Sequence, residues 1–398
     1  MRRIPALLLA AVLLFGLAGC SHLFDREVYE EEPFESAPEA VEAEDPGDGM
    51  ISNYAALRRA IFRLVSERAE SAILQFQDYD GSLSGDISAA CWEVKSSTPL
   101  GAFAVDYISY DLSRIVSYTQ AEIHITYKRS ESQMAALEAV GASSALRTRL
   151  DEALRQGESY LVLSLNAAGL TADTVREAVE RAYYADPAAC PVLPAAQAAL
   201  YPDTGVSRIA EITLDYGLDE ETLGLRREEL DAALAAMLSA VSAEEEPAET
   251  DPRTEEERAV ERVRSLCAYI ASVCVWDENA GSTAWDALTR GAASGEGMAL
   301  ALLAGCRALD VDAGLIFGRL DGEPHVWNTV RIGGETYHTD VSRWSEGEDA
   351  VFLAGDKTLR DRYWWDAAGT GTSALSYGDS AEPSEEPSAE GMAFLPEN

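Results

Sequence analysis

The sequence predicts an α+β protein in which one or two small α/β repeat units precede a separate C-terminal domain. Two stretches of the N-terminal half share a helix–strand pattern at an offset of about 88 residues. An acidic, proline-bearing segment at 244–252 then marks a domain boundary. Two helix-like segments and three strand-like segments follow it. The length of 398 residues and the hydrophobic content of 47% suit two or three domains.

The charge and the cysteine usage exclude several classes of function. The chain carries 31 Lys and Arg against 69 Asp and Glu, a formal net charge of -38. Sequence-independent binding to nucleic acid needs clustered cations, and so does polybasic binding to anionic lipid, so we expect neither. Six cysteines and four histidines form no C-x-x-C or H-x-x-x-H pair. We therefore predict no metal site and no cofactor.

The N-terminus has the pattern of an export signal. Basic residues at Arg2 and Arg3 precede an apolar run at 4–17, which is too short to span a membrane. The run closes in Leu17-Ala18-Gly19-Cys20, which resembles the lipobox of bacterial lipoproteins. The resemblance implies cleavage of a signal peptide at 1–19, a lipid on Cys20 and an extracytoplasmic, membrane-anchored protein. Acidic residues and prolines in 20–50 predict a flexible tether.

The N-terminal half contains a possible duplication, with one unit at 51–142 and a second at 143–243. Each unit predicts a helix, a strand, a second helix, a loop and an alternating strand. Ile87 corresponds to Val175 at an offset of 88 residues, and Ile123 corresponds to Ile212 at 89. We expect a structural or ligand-presenting role for these units. We interpret His124 as a surface residue of its strand.

The C-terminal domain is predicted at 254–368, and a disordered tail follows it at 369–398. Thr254 caps a first helix whose opening turn is acidic. Cys267 and Cys274 lie on the apolar face of this helix, and Cys306 lies within a second helix at about 297–309. All three thiols are predicted to be core side chains.

The last two predicted strands, 325–332 and 335–341, can be paired from their turn. Gly333-Gly334 suits a two-residue hairpin loop, so paired residue numbers sum to 667. In that register His325 and Asp340 share one face as diagonal neighbours, with Cβ atoms about 7–8 Å apart or slightly less. A histidine oriented by a carboxylate is the base of a nucleophilic triad. A histidine–aspartate pair without catalytic function remains the alternative.

Several ordered motifs of this region resemble the bacterial transglutaminase-like family, over about a hundred residues. The matching residues are Thr283-Ala284-Trp285, Gly291, Glu296-Gly297, Ala299, His325-Val326-Trp327-Asn328, Tyr337-His338, Asp340-Val341, Trp344, Phe352-Leu353 and Tyr363-Trp364-Trp365-Asp366. The resemblance implies a papain-like domain with a Cys–His–Asp triad whose cysteine begins the core helix. It makes His325 the base and Asp340 its orienting residue, and it places Trp327 and Asn328 along the cleft.

The chain departs from the family pattern at the nucleophile. The family reads roughly G-x-x-x-C-x-G-x-A, whereas this chain has Gly295 at the cysteine position. Ser294 lies one position early, and Cys306 is about 16 Å further along the helix. We therefore expect a catalytically inactive module that binds a surface protein, a peptide or a cell-wall glycan. The alternatives are an acyltransferase or hydrolase that uses Ser294, and a purely structural spacer.

Overall fold

The computed structural model describes residues 50–141, 143–244, 253–367 and 370–378. The predicted signal peptide, Cys20, almost all of the tether and most of the predicted tail lie outside these residues. The chain divides into two compact units, which are described separately. The first comprises Met1–Ala185 and Val192–Gly224, and the second comprises Asp186–Pro191 and Leu225–Asn398. The sheets of both small α/β units therefore fall within the first compact unit, whereas 186–191 and 225–243 of the predicted second unit belong to the second compact unit.

The first α/β unit is a four-stranded sheet in the order β1-β2-β4-β3, with helices between its strands. Strand β1 runs parallel to β2, and β2 and β3 both pair antiparallel with β4. The elements are β1 Met50–Ile51, α1 Tyr54–Ser66, β2 Ser71–Phe76, α2 Leu83–Ser97, α3 Pro99–Ala104, β3 Val105–Arg114 and β4 Thr119–Tyr127.

The second α/β unit repeats this topology, with the sheet order β5-β6-β8-β7. The elements from the end of β4 onward are α4 Glu131–Ala135, β5 Leu137–Gly141, α5 Ser143–Gln156, β6 Tyr160–Asn166, α6 Ala172–Ala185, β7 Ala195–Tyr201 and β8 Ser207–Asp215. Strand β5 pairs with β6. The sequence-based boundary after residue 142 therefore assigns a strand of the second sheet to the first unit.

Equivalent contacts also occur within each of the two α/β units. The Tyr127 hydroxyl donates to the carbonyl oxygen of Ala69 at 3.0 Å. The Tyr216 hydroxyl donates to the carbonyl oxygen of Glu158, also at 3.0 Å. Tyr216 and Glu158 each lie 89 residues after the corresponding residue of the first bond. The buried residues of α1 also have buried counterparts in α5 at this offset. These residues are Leu57, Ile61, Leu64 and Val65 in α1, and Leu146, Leu150, Ala153 and Leu154 in α5.

The second compact unit is built around a buried helix and an antiparallel sheet in the order β13-β12-β11-β14. Helix α7, Glu220–Glu244, begins in the first compact unit, and α8 is Glu255–Val273. The remaining elements are β9 Val275–Trp276, a π-helix at Asp286–Arg290, β10 Ala292–Ala293, α9 Gly295–Ala308, β11 Ala313–Leu320, β12 Glu323–Ile332, β13 Glu335–Thr339, α10 Val341–Ser345, a 3-10 helix at Asp349–Val351, α11 Asp356–Leu359 and β14 Tyr363–Trp364.

Local sequence signals explain the start of α8 and the β12–β13 hairpin. Thr254 and Glu257 form a complete capping box at the N-terminus of α8, which confirms the predicted cap. Gly333 and Gly334 have φ angles of 60° and 91°, which glycine adopts without steric cost. Ile332 pairs with Glu335, and the register continues to Asn328 opposite Thr339. The predicted sum of 667 is therefore confirmed.

Helix α9 is the core helix of this unit. Leucine, alanine and methionine favour the helix, and its residues are buried along most of its length. Asn328 on β12 donates from Nδ2 to the carbonyl oxygens of Ala299 and Gly314, at 2.9 and 3.3 Å. The first bond connects β12 to helix α9, and the second connects it to the neighbouring strand β11. Within the described residues, no helix is both long and apolar enough to cross a membrane.

Candidate functional site

The N-terminus of α9, strand β12 and the N-terminus of α10 bring the predicted site residues together. His325 on β12 donates from Nε2 to Oδ2 of Asp340 at 2.7 Å. The His325 side chain is 8% exposed and that of Asp340 is 1% exposed. Asp340 is not a strand residue, contrary to the predicted strand 335–341: β13 ends at Thr339, and Asp340 is the N-cap of α10. The carboxylate therefore reaches the imidazole from the end of β13, beyond the last pair of the β12–β13 ladder, Asn328–Thr339.

Asp340 is held by donors on both oxygens. Oδ1 accepts from the Ser342 hydroxyl at 2.6 Å and from the backbone N–H groups of Ser342 and Arg343 at 3.1 and 3.2 Å. Oδ2 also accepts from the Tyr363 hydroxyl at 2.7 Å. Burial alone would raise the pKa of Asp340, but the hydrogen bonds from His325, Ser342 and Tyr363 outweigh it and lower the pKa. The residue is therefore a buried carboxylate whose ionised form is stabilised.

This coordination of Asp340 has two consequences for its neighbours. An ionised carboxylate only accepts hydrogen bonds, so His325 keeps its proton on Nε2 and presents the lone pair of Nδ1. Burial and the negative charge of Asp340 together raise the pKa of Tyr363 well above its usual value. Tyr363 therefore acts as a hydrogen-bond donor.

Position 295 lies directly beneath the imidazole. A Cβ atom built on Gly295 would lie 2.7 Å from Cε1 of His325, 3.1 Å from Nδ1 and 3.6 Å from the Ser342 hydroxyl oxygen. The residue at 295 therefore occupies the place of a nucleophile facing its base. Glycine has no atom there that could attack a substrate, and the ring lies so close that even a methyl group would displace it.

Ser294 is engaged in the structure of the helix. Its backbone is extended, and its hydroxyl oxygen accepts from the N–H of Gly297 at 3.4 Å as the N-cap of α9. This role satisfies one of the otherwise unpaired N–H groups of the first turn. In this conformation the hydroxyl forms no hydrogen bond with His325.

Trp327 and Asn328 do not line a cleft, contrary to the sequence-based expectation. Both side chains are fully buried. The Trp327 ring stacks beside His325 at a centroid distance of 6.1 Å, and Asn328 bonds to α9. Adjacent strand residues alternate between the two faces of a sheet, and both faces of β12 are covered at this point.

Two further residues of the site and a second buried pair escape the sequence analysis. Ser342 and Tyr363 complete the coordination of Asp340, and Tyr363 comes from a distant edge strand that pairs with β11. A second pair forms where His338 Nε2 donates to Asp356 at 3.0 Å and Nδ1 accepts from the Trp327 indole at 3.1 Å. The resemblance includes His338 and Tyr363 without giving them a role, and it includes neither Ser342 nor Asp356.

A groove of about 230 Å³ opens beside His325. Its lining combines the ring of Trp276 with three carboxylates and two guanidinium groups. The lining residues are Trp276, Glu278, Leu320, Asp321, Glu323, Pro324, His325, Arg343 and Arg362. Arg343 bonds to Glu348, and Arg362 bonds to Asp321 and Glu348. The groove therefore presents a polar, mixed-charge surface next to the imidazole.

The cysteines take no part in this site. The five cysteines among the described residues are all buried: Cys91, Cys190, Cys267, Cys274 and Cys306. Burial raises the pKa of Cys274 to about 11 and that of Cys306 to about 12, so these thiols are poor nucleophiles. The prediction that Cys267, Cys274 and Cys306 are core residues is confirmed. In the described parts of the chain, no cluster of three or more His, Cys, Asp or Glu side chains could hold a metal ion.

The core helix packed on an antiparallel sheet, with a histidine–aspartate pair over its N-terminus, defines a domain of the papain-like class. The transglutaminase-like superfamily model matches residues 248–345. This part of the chain is therefore a transglutaminase-like domain. None of the curated proteins matches the chain.

Several solved structures show a limited similarity to the chain. A TGase matches at 12% identity and a TM-score of 0.25, over 55% of this chain and 60% of its own. A candidate cysteine protease from Cytophaga hutchinsonii matches at 13% identity and a TM-score of 0.23, over 38% and 62%. A candidate protease from Parabacteroides distasonis matches at 9% identity and a TM-score of 0.18, over 67% and 39%. The chain spans less than two thirds of the length of each of these proteins.

Proposed function

We propose that this protein is a non-catalytic transglutaminase-like module that binds a surface protein, a peptide or a cell-wall glycan. The observation that carries the proposal is the absence of a side chain at position 295, directly beneath His325. A nucleophilic mechanism splits acyl transfer into two steps through a covalent intermediate. Without a nucleophile at this position the intermediate cannot form, although the base and its orienting carboxylate remain in place.

The groove beside His325 is the proposed binding surface. Its aromatic, carboxylate and guanidinium groups can bond to the backbone and side chains of a peptide or to the hydroxyl groups of a glycan. The two arginines are held by neighbouring carboxylates, so their guanidinium groups are pre-oriented. Pre-orientation lowers the conformational entropy lost on binding.

The module is proposed to act outside the cytoplasm, anchored through a lipid on Cys20. Support comes from the basic residues, the apolar run and the lipobox-like Leu17–Cys20 segment of the sequence. The acidic tether would then separate the folded units from the membrane surface. A polybasic contact with the membrane is not part of the proposal, because the chain is strongly acidic.

An activity assay tests the loss of catalysis. Amine incorporation into a glutamine-containing protein and hydrolysis of the same protein are measured for the wild type, Gly295→Cys and His325→Ala. We expect no activity from the wild type or from His325→Ala. Activity of Gly295→Cys would show that the cleft remains competent once a thiol is supplied.

The serine alternative gives a distinct outcome. Wild-type activity that disappears in both His325→Ala and Ser294→Ala would overturn the proposal and identify Ser294 as the nucleophile. The Ser294→Thr variant retains a hydroxyl that can cap α9, and it controls for damage to the helix N-terminus.

A further inference from the structure

Strand β3, Val105–Arg114, is the long, open edge of the first sheet. The strand order β1-β2-β4-β3 places it last, and within the described residues it pairs only with β4. It has ten residues, whereas the opposite edge strand β1 has two. An edge strand leaves a row of backbone donors and acceptors available to another strand.

The register identifies which backbone groups are free. The N–H of Ile115 donates to the carbonyl oxygen of Tyr118 at 2.9 Å and closes the β3–β4 hairpin. In an antiparallel ladder, hydrogen-bonded and non-hydrogen-bonded pairs alternate. From Tyr107 onward, the odd-numbered residues of β3 therefore bond to β4. Ile108, Tyr110, Leu112 and Arg114 direct their N–H and C=O groups toward the open edge.

This edge has little of the protection that isolated edge strands normally carry. The strand contains no proline, and its outward-directed positions carry three apolar or aromatic residues before Arg114. The side chain of Leu112 is 41% exposed. By contrast, β7, the equivalent strand of the second unit, is shorter and is flanked by Pro194 and Pro202. Only the first residues of β3 are blocked, by a bulge near Asp106 and by a hydrogen bond from Lys95 to the carbonyl oxygen of Asp106.

We propose that β3 pairs antiparallel with β3 of a second copy of this chain, in the register where paired residue numbers sum to 220. Tyr110 then faces Tyr110 of the second copy across the two-fold axis, and Ile108 faces Leu112. At each end, outside the backbone-paired residues 108–112, the side chain of Asp106 comes opposite that of Arg114 of the other copy. Neither of these charged side chains has an ion pair among the described residues.

Charge complementarity selects this register from the neighbouring ones. Only even sums pair the outward-directed residues of both copies. A sum of 222 places Arg114 opposite Ile108, and a sum of 218 places it opposite Ala104, which lies in helix α3. The sum of 220 is the one that pairs both charged groups and keeps Ile108, Tyr110 and Leu112 together on one face.

The contact is small, and we expect a reversible dimer. Three pairs around the two-fold axis exchange about six backbone hydrogen bonds. The buried area is limited to two strands and the apolar side chains beside them, which is typical of a weak interface. The proposal concerns the N-terminal sheet alone and is independent of the function proposed for the transglutaminase-like domain.

Sedimentation velocity of the purified protein over a wide range of concentrations tests the proposal. We expect a monomer–dimer equilibrium in the wild type. Arg114→Glu sets two carboxylates against each other at both ends, and it should weaken the dimer about tenfold. The double variant Asp106→Arg with Arg114→Glu restores opposite charges and should restore the dimer.

Leu112→Pro provides a second, independent variant, because it removes an outward N–H without removing a bond to β4. It should abolish the dimer while circular dichroism remains that of the wild type. A wild type that stays monomeric at every concentration would overturn the proposal. A dimer that is insensitive to Arg114→Glu, or that the double variant fails to restore, would overturn it as well.

Discussion

At the scale of single residues, Gly295 determines what the site can do. The imidazole of His325 lies where a side chain at 295 would begin, and its Nδ1 lone pair faces that position. Asp340 keeps the proton on Nε2 and fixes the ring. The site therefore retains the base and the carboxylate of a triad. In place of the nucleophile, the imidazole ring of His325 lies close to the backbone of α9 at Gly295.

Restoring a thiol tests whether this environment still activates a nucleophile. In Gly295→Cys the new thiol would lie at the N-terminus of α9 beside His325, and both features lower a thiol pKa. The imidazole must shift slightly, because the built Cβ lies only 2.7 Å from Cε1. We expect a thiol pKa clearly below the ordinary value of about 8.5. The rate of iodoacetamide labelling as a function of pH measures it.

Two controls make this labelling measurement specific. The described cysteines are all buried, so their background reactivity in the folded protein should be low. Ser294→Cys places a thiol one residue away, at a position that forms no bond with His325 in the wild type. His325→Ala in the Gly295→Cys background should raise the thiol pKa. If His325→Ala leaves the labelling profile unchanged, the imidazole does not contact residue 295.

Asp340 is expected to contribute to stability as well as to orientation. Its folded-state pKa is lowered, so its contribution is present above the unfolded pKa of about 4 and is lost as the pH falls through the folded pKa. Asp340→Asn removes a charged acceptor of five hydrogen bonds and should cost about 2–4 kcal/mol at neutral pH.

Urea unfolding of the wild type and Asp340→Asn at neutral pH and below pH 4 or so measures this contribution. The difference between the two proteins should narrow at the lower pH, because the wild-type carboxylate becomes protonated there. Tyr363→Phe removes only one of the five donors and should cost about 1 kcal/mol. An equal loss of stability in Asp340→Asn and Tyr363→Phe would show that the other four hydrogen bonds to Asp340 do not contribute to stability.

At the scale of elements, local turn and cap signals were predictable, and contacts from distant segments were not. The two glycines at 333–334 fix the hairpin register from Ile332–Glu335 to Asn328–Thr339. His325 and Asp340 lie just beyond the last of these pairs, and Asp340 reaches the imidazole as the N-cap of α10. The capping box of α8 and the buried cysteines also follow from local patterns. Tyr363 escaped prediction because its strand β14 reaches the site by pairing with β11. Strand periodicity alone did not reveal that both faces of β12 are covered, so the placement of Trp327 and Asn328 along a cleft was wrong.

The buried contact between β13 and α11 should make stability depend on pH. His338 is fully buried, and burial lowers its pKa more than its hydrogen bond to Asp356 raises it. The unfolded chain therefore binds a proton more readily than the folded chain. The contribution of His338 to the free energy of unfolding is fully present above its unfolded pKa of about 6.5. It falls as the pH is lowered toward the folded pKa, by up to about 1.4 kcal/mol per pH unit.

Denaturant unfolding between pH 7.5 and 5 or so tests this contribution. The variant His338→Gln keeps an amide donor and acceptor but does not titrate. It should be less stable than the wild type at pH 7 or above, with a flatter dependence on pH. A variant with the wild-type slope would show that another group is responsible for the pH dependence.

At the scale of the whole chain, two topologically equal α/β units and a transglutaminase-like domain share one strongly acidic polypeptide. The equal strand orders and the equivalent tyrosine hydrogen bonds show that the two units have the same topology. The two sheets differ in what covers them. Phe103 of α3 and Met134 of α4 pack with Val162 and Ile209 of the second sheet in one buried cluster. The outward face of the first sheet instead exposes Ile73, with 58% of that residue accessible.

The predicted lipid anchor is a property of the whole chain and can be tested in cells. If Cys20 receives a lipid, Cys20→Ala should move the protein from the membrane fraction to the soluble extracytoplasmic fraction. Acyl chains contribute about 0.8 kcal/mol per buried CH₂ group, and the net charge of -38 does not favour electrostatic binding to anionic lipid in their place. Fractionation followed by immunoblotting measures the distribution, and mass spectrometry of the N-terminal peptide detects the lipid.

A matched control separates the anchor from the export signal. Ser21→Ala changes the next residue and leaves the thiol of Cys20 in place, so this variant should remain with the membrane. A charged residue within the apolar run, such as Leu9→Arg, should block export and leave the full-length precursor in the cell. Tight membrane association of Cys20→Ala after cleavage of the signal peptide would exclude the lipid anchor.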